Sequence, residues 1–253
     1  MKVIAVIPAR YAATRFPGKL MQVLGGKTII LLTYLNTKAT GLFNEVIVAT
    51  DNLIIYDEIT KHGGHAVISK KEHESGSDRI AEAIADMPAR PPGGDFDIVI
   101  NVQGDEPFVN KNQLSTLINV FLDDDKKEIK VASLMHKIIS VDEIQNPNNV
   151  KVVVDKNMDA LLFSRSPIPY KRNIESNIDY YKHIGVYAFR KKELLDFTKW
   201  PQTILEQTEK LEQLRYLENG IKIRMAITAE TTIGIDTEED LDNAKKYLQN
   251  ISV

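Results

Sequence analysis

Four β-branched runs, Val3–Pro8, Glu45–Thr50, His65–Ser69 and Asp97–Gln103, alternate with stretches whose apolar residues recur at helical spacing. A strand that returns parallel to its neighbour needs a long crossover, usually a helix, so this alternation restricts the first half of the chain to βαβ units around a mostly parallel sheet. The clearest helical stretch is Ser77–Met87, where Ile80, Ala83, Ile84 and Met87 form one apolar face while Arg79 and Glu82 point elsewhere. Ser75 or Ser77 can cap it. A second stretch, Asn52–His62, stops at Gly63-Gly64, where a helix C-terminus favours glycine.

The rhythm changes near Val131. Val150–Asp155 and Ala160–Arg165 read as a hairpin across Lys156-Asn157-Met158-Asp159, followed by a loop punctuated by Pro167 and Pro169 and a further strand at Ile184–Phe189. Helices are expected at Lys191–Trp200 and Thr203–Asn219, and a last βα pair at Ile221–Thr228 and Thr237–Gln249. No flexible linker flanks residues 140 to 190, so the expectation is one domain over 1–253 with an inserted antiparallel section at about 140–190. The fold class is therefore α/β and Rossmann-like, a mostly parallel central sheet with helices on both faces.

In an open α/β sheet, ligands bind beyond the carboxyl ends of the strands. The first strand empties into a loop carrying Arg10, Arg15 and Lys19, with Pro17 and Gly18 turning the chain back so that the three cations can converge. Arginine forks and a lysine point charge suit a polyphosphate; the plainer reading is a solvated loop. Asp97–Gln103 leads into Gly104-Asp105-Glu106-Pro107, which sets a carboxylate at the same sheet edge. Mg²⁺ favours one or two carboxylates completed by phosphate oxygens and water, so Asp105 is a candidate ligand, although Gly, Asp and Pro also make ordinary turns. Asp236 precedes the last helix and has two readings: a second metal ligand, or a helix-start acid beside a capping arrangement of Thr237 and Asp240. His73–Arg79 joins a small-residue turn to a helix start, so that Arg79 could approach a planar base, and Gln103 could reach base or substrate. His183 reads first as a structural histidine, and Glu212 and Gln213 as the wet face of a helix.

Other chemistries are excluded. Gly25-Gly26-Lys27-Thr28 ends like a phosphate-binding P-loop, but Met21 stands where that motif needs glycine, and no G-x-G-x-x-G occurs. With no cysteine there is no disulfide, thiolate zinc site or cysteine nucleophile. A net charge of −3 argues against nucleic acid or an anionic membrane as a partner. The apolar run before Pro8 is too short for a signal peptide or a membrane span, which leads to the expectation of a cytoplasmic protein.

Taken together, Ala9-Arg10-Tyr11 through Gly18-Lys19, Ala49-Thr50-Asp51, His73–Arg79, Asn101–Pro107, Phe163-Ser164-Arg165, His183–Tyr187, Leu211–Arg215 and Gly234–Leu241 resemble, in order and over nearly the full chain, the 3-deoxy-manno-octulosonate (Kdo) cytidylyltransferase family. The resemblance implies a nucleotide-diphospho-sugar transferase fold, a homodimer, Mg²⁺, and transfer of CMP from CTP to the anomeric hydroxyl of Kdo, with release of pyrophosphate, for lipopolysaccharide biosynthesis. It implies nucleotide contacts from Ala9, Arg10, Thr14, Arg15, Lys19, Ser75, Gly76, Arg79 and Gln103, with Arg10, Lys19 and Asp105 catalytic. Gln103, Arg165, His183, Tyr187, Glu212 and Gln213 would serve the sugar acid, and Asp105 and Asp236 the metal. Ala13, Leu20 and Ser77 stand where the family usually has serine, proline and threonine. The expected chemistry is in-line attack on the α-phosphorus, with Mg²⁺ on Asp105. Alternative acceptors are an amino-substituted octulosonate or a nonulosonic (sialic-type) acid; an alternative of another class is a catalytically silent nucleotide-binding protein.

Overall fold

A computed structural model describes residues 1–12, 16–73, 75–87, 95–173, 175–230 and 233–251. The chain divides into two compact units, one of residues 1–111 with 232–253 and one of 112–231.

The first unit begins with β1 (Val3–Ala9), every residue of which except Pro8 is buried. Burial on both faces is what a central parallel strand requires, and it explains an unbroken apolar run in place of alternation. After a 3-10 turn at Lys19–Met21 come the short hairpin β2 (Val23–Leu24) and β3 (Lys27–Thr28), α1 (Ile29–Ala39), β4 (Glu45–Thr50), α2 (Leu53–Lys61), β5 (Ala66–Ile68), α3 (Gly76–Asp86) and β6 (Ile98–Asn101). The strands run parallel in the order β6-β1-β4-β5. β1 pairs with β6 only from Val3 to Val6, so Pro8, which lacks an N–H, falls where β1 keeps a partner on one side. Asn52 caps α2 and Ser75 caps α3; Ser75 Oγ accepts from the Asp78 N–H at 3.1 Å.

The second unit holds α4 (Lys111–Leu122), whose first residue is still counted with the first unit, then β7 (Val131–Ile138), α5 (Val141–Gln145), β8 (Lys151–Val154), β9 (Ala160–Ser164), β10 (Tyr180–Arg190), α6 (Lys191–Phe197), α7 (Ile204–Glu209), α8 (Leu214–Glu218) and β11 (Ile223–Ile227). β8 and β9 form the expected hairpin, antiparallel to each other, and β8 pairs with β10. β10 also runs antiparallel to β7, whereas β11 is parallel to β7. The section expected at 140–190 lies inside this unit. The chain then returns to the first unit with α9 (Glu238–Ile251).

The single helix expected at Thr203–Asn219 is instead two, α7 and α8. Lys210 breaks the run in the left-handed region at φ 53. The gain is visible in the core: Arg215 Nε and Nη2 donate to the Glu206 carboxylate at 2.7 and 2.5 Å, both side chains buried. Residues nine apart on a continuous helix face opposite sides, so only the break lets this pair meet. Among the described residues no helix is long and apolar enough to cross a membrane.

Candidate active site

The carboxyl ends of β1 and β6 open onto a cleft of about 340 Å³ in the first unit, lined among others by Arg10, Lys19, Ser75, Gly76, Arg79, Gln103, Asp105 and Asp236. Two glycines create it. Gly18, at φ +67, takes a backbone conformation that other residues resist, and its turn carries Lys19 back toward the sheet. Gly104 lies against β1: a Cβ there would stand 3.1 Å from the Pro8 carbonyl oxygen and 3.3 Å from Ile30 Cδ1. The turn is also held from α1, where buried Thr33 donates to the Gly104 carbonyl at 3.0 Å and Asn36 to the Pro107 carbonyl at 2.7 Å. Asp105 is thus presented by a fixed backbone.

Lys19 Nζ lies 2.5 Å from Asp105 Oδ2 and 2.9 Å from Asp236 Oδ1. Residues far apart in the chain therefore converge as the sequence predicts, and the Ile235 N–H donates to the Asp105 carbonyl at 3.0 Å, tying the two acidic segments together. Burial lowers the Lys19 pKa, but the two aspartates more than offset it and hold the ammonium above its ordinary value. The capping reading of Thr237 and Asp240 also holds: Asp240 accepts from the Thr237 N–H at 2.9 Å and Thr237 Oγ1 from the Asp240 N–H at 3.1 Å. Asp236 thus stands on a capped turn and still reaches the cleft.

Arg79 is buried and donates to Asp51 at 2.5 Å. Burial pulls its pKa down, Asp51 pushes it up, and the charge of Arg10 pulls it down again, which places both guanidinium groups at one electrostatic centre. Arg79 Nε is buried with no partner among the described residues. Asp51 carries no assigned role in the sequence reading; its signal is the one that marks Asp105, an acid just past a strand end at the same sheet edge. His73 also lines the cleft, and its Nε2 lies 2.6 Å from Glu82 of α3. Ala9 is fully buried in β1. Thr14 and Arg15, together with Ala13, lie outside the described residues.

The remaining predicted residues lie in the second unit. His183 packs at 5.1 Å from Phe163 and 5.2 Å from Tyr187, measured between ring centres. Ser133 Oγ lies 3.1 Å and 2.9 Å from the carbonyl oxygens of Ile184 and Val186, which can only accept; with its single hydrogen given to them, its 3.0 Å contact with His183 Nε2 makes Nε2 the donor and leaves Nδ1 as an acceptor. Burial lowers the His183 pKa to about 3, so the ring is neutral. Although His183 and Tyr187 keep some surface access, both are deeply set, and the Tyr187 hydroxyl is buried with no partner among the described residues. Burial, then the charge of Glu212, raises the Tyr187 pKa and keeps that hydroxyl a donor. Arg165 donates to the Glu209 carbonyl at 2.8 Å and to the Pro147 carbonyl at 3.1 Å, and Gln213 precedes α8.

Among the described residues no three carboxylate or imidazole groups gather as a closed metal site. Asp105 and Asp236 nevertheless offer hard oxygens converging on one point already shown to attract positive charge. Two carboxylates with further positions left to phosphate oxygens and water match the way Mg²⁺ is usually bound.

The cytidylyltransferase family profile matches residues 4–223. The 3-deoxy-manno-octulosonate cytidylyltransferase of Flavobacterium johnsoniae is 57% identical over 99% of this chain and 100% of its own length, and that of Christiangramia forsetii 53% over 98% and 97%. A solved structure of CMP:2-keto-3-deoxy-manno-octonic acid synthetase complexed with CTP superposes with a TM-score of 0.90 at 39% identity, over 99% of each chain. On this likeness, which runs the length of the protein, the chain belongs to the 3-deoxy-manno-octulosonate cytidylyltransferase family.

Proposed function

We propose that this enzyme transfers CMP from CTP to the anomeric hydroxyl of Kdo, releasing pyrophosphate. The observation that carries the reading is the meeting of Lys19, Asp105 and Asp236 in a cleft that also holds Arg10 and Arg79, within a chain of this family. The sugar hydroxyl oxygen forms a bond to the α-phosphorus and gives up its proton to solvent, the bond from that phosphorus to the bridging oxygen breaks, and pyrophosphate leaves with the electron pair. Arg10 and Lys19 hold the phosphates and stabilise charge gathering on the leaving group, which is electrostatic and positional catalysis. A divalent cation on Asp105 and Asp236, Mg²⁺ by donor type, would supply phosphate charge neutralisation and acidify the hydroxyl.

Ser75, Gly76, Arg79 and Gln103 are assigned to the nucleoside; Gln103, Arg165, His183, Tyr187, Glu212 and Gln213 to the sugar acid. His183 Nδ1 as acceptor and Tyr187 as donor would give that substrate two complementary hydrogen-bonding groups, a reading supported by the Ser133 contact at His183 Nε2 and by a buried Tyr187 hydroxyl with no partner among the described residues. The enzyme is assigned to the cytoplasm and to lipopolysaccharide biosynthesis. It is proposed to be a homodimer through the inserted section at about 140–190, where Val141, Leu161 and Tyr170 are 70%, 61% and 88% exposed; a monodisperse monomer by sedimentation at micromolar concentration would overturn the dimer. The decisive assay follows pyrophosphate release from CTP with Mg²⁺ and a panel of Kdo, its amino derivative and sialic acid. Kdo is expected to give the highest kcat/KM; CTP binding without release on any acid would instead favour a silent nucleotide-binding protein.

A further inference from the structure

Lys19 is required at two places. As a phosphate ligand its ammonium must face the nucleotide, yet in the structure it hydrogen-bonds both carboxylates assigned to the cation, at 2.5 Å and 2.9 Å, with its side chain 14% exposed. Asp105 follows β6, Asp236 precedes α9, and Lys19 opens the 3-10 turn after the cationic loop. The ammonium therefore spans both acidic segments in this cleft. A dication on the same oxygens would stand within a few ångströms of that ammonium, and in a partly desolvated cleft such like-charge proximity is strongly unfavourable. Ammonium and dication are competing occupants of one carboxylate pair.

We propose that Lys19 is a positioning residue for the cation as well as a phosphate ligand: it holds Asp105 and Asp236 together, keeps free divalent cation off them, and releases them when a polyphosphate competes for its ammonium. The lysine stem is long and flexible, whereas the backbone at Gly18 and at Gly104 is fixed by conformation and contact, so the ammonium is the part able to change partners. Nucleotide and cation then bind cooperatively through a side chain of the protein, in addition to their direct attraction. This inference rests on the cation reading above. It explains why a lysine should stand between two ligands of a cation: the carboxylates stay aligned and neutralised until the phosphates arrive.

The test is Mn²⁺ titration of the full-length protein without nucleotide, with free Mn²⁺ read by electron paramagnetic resonance. Lys19→Met is expected to bind Mn²⁺ about tenfold or more tighter than the natural protein, because a competing charge is gone. Lys19→Arg, which keeps the charge, is expected to bind Mn²⁺ far more weakly than Lys19→Met. Adding Asp105→Asn to Lys19→Met is expected to erase the gain. If Lys19→Met binds no tighter while Asp105→Asn weakens Mn²⁺ binding, the cation reading stands and the competition is overturned. If Mn²⁺ binding ignores Asp105→Asn in both backgrounds, the cation site fails and this inference with it. Circular dichroism checks the fold of each variant, and Lys19→Gln replaces Lys19→Met if the latter does not fold.

Discussion

In the first unit the cleft is built from charge facing charge: Lys19 between Asp105 and Asp236, Arg79 against Asp51, with partial solvent access at each acid. In the second unit two of the residues assigned to the sugar acid, His183 and Tyr187, are uncharged and set among rings, with His183 beside Phe163 and Tyr187, while the buried ion pair of Arg215 with Glu206 is sealed in the core, its guanidinium 4.3 Å over Phe197. The difference fits the roles proposed for the two regions. A polyphosphate brings its own high charge, which compensates desolvated cations when it binds. A sugar acid presents mostly hydroxyls, which neutral donors and acceptors read at lower desolvation cost.

Breaking the sealed pair should have the largest effect. Glu206→Ala leaves the Arg215 guanidinium buried without its carboxylate and is expected to cost about 3–5 kcal/mol in urea unfolding. The matched change Asp51→Ala in the first unit should cost about 1–2 kcal/mol, because Asp51 is 29% exposed and water can replace it. Equal losses would erase the contrast between a sealed pair and a cleft pair. Next comes Asp105→Asn, which keeps shape and removes charge: turnover should fall on the order of a hundredfold, about 3 kcal/mol of barrier. Near-normal turnover at saturating Mg²⁺ would show that charge at this turn is not used in the reaction.

Backbone contact provides a third contrast. Gly104→Ala is expected to destabilise by about 1–3 kcal/mol and to lower turnover with it, since the Pro8 carbonyl oxygen cannot withdraw from a strand. Gly185 in β10 has nothing within 4 Å of an added Cβ, so Gly185→Ala should stay within about 0.5 kcal/mol. The neutral histidine makes a pH prediction. With a folded pKa of about 3 against an unfolded value near 6.5, His183 takes up its proton first in the unfolded chain. Stability should therefore fall as pH drops from about 6.5 toward 3, by up to about 1.4 kcal/mol per pH unit, and be unaffected by this group above that range. His183→Gln should flatten that slope; an unchanged slope in urea unfolding would mean that the ring is protonated in the fold.

The two regions also differ in how far they can be read from sequence. The first unit is legible because its signals are local: a β-branched run, a turn, then a charged residue, repeated at Lys19 and Asp105. The same is true of the Ser75 cap and the Thr237 and Asp240 box, each closed within a few residues. α1 escapes the reading because Ile29, Ile30, Leu31, Thr33, Tyr34 and Thr37 are all buried, so no polar face marks it as a helix. The second unit hides more. The Glu206 and Arg215 contact depends on a break at Lys210, a residue with no turn propensity of its own, and the Ser133 contact that fixes the His183 tautomer joins strands 50 residues apart. Contacts of that range leave no periodicity; for these residues the family resemblance names candidates, and only the fold displays their hydrogen-bonding state.

Tyr187 makes the smallest and most selective prediction. Among the described residues its buried hydroxyl has no partner, so it contributes a desolvation cost in the free protein. Tyr187→Phe removes that cost and should leave stability unchanged or slightly raised. If the hydroxyl serves the sugar acid, the same substitution should raise the KM for Kdo about tenfold, worth ~1.4 kcal/mol, and leave the KM for CTP alone. A change in the CTP value instead would move Tyr187 to the nucleotide and dissolve the division of labour between charged cleft and neutral recess. An unchanged KM for both substrates, with stability gained, would make the unpaired hydroxyl a packing defect and leave His183 and Glu212 to carry the recognition.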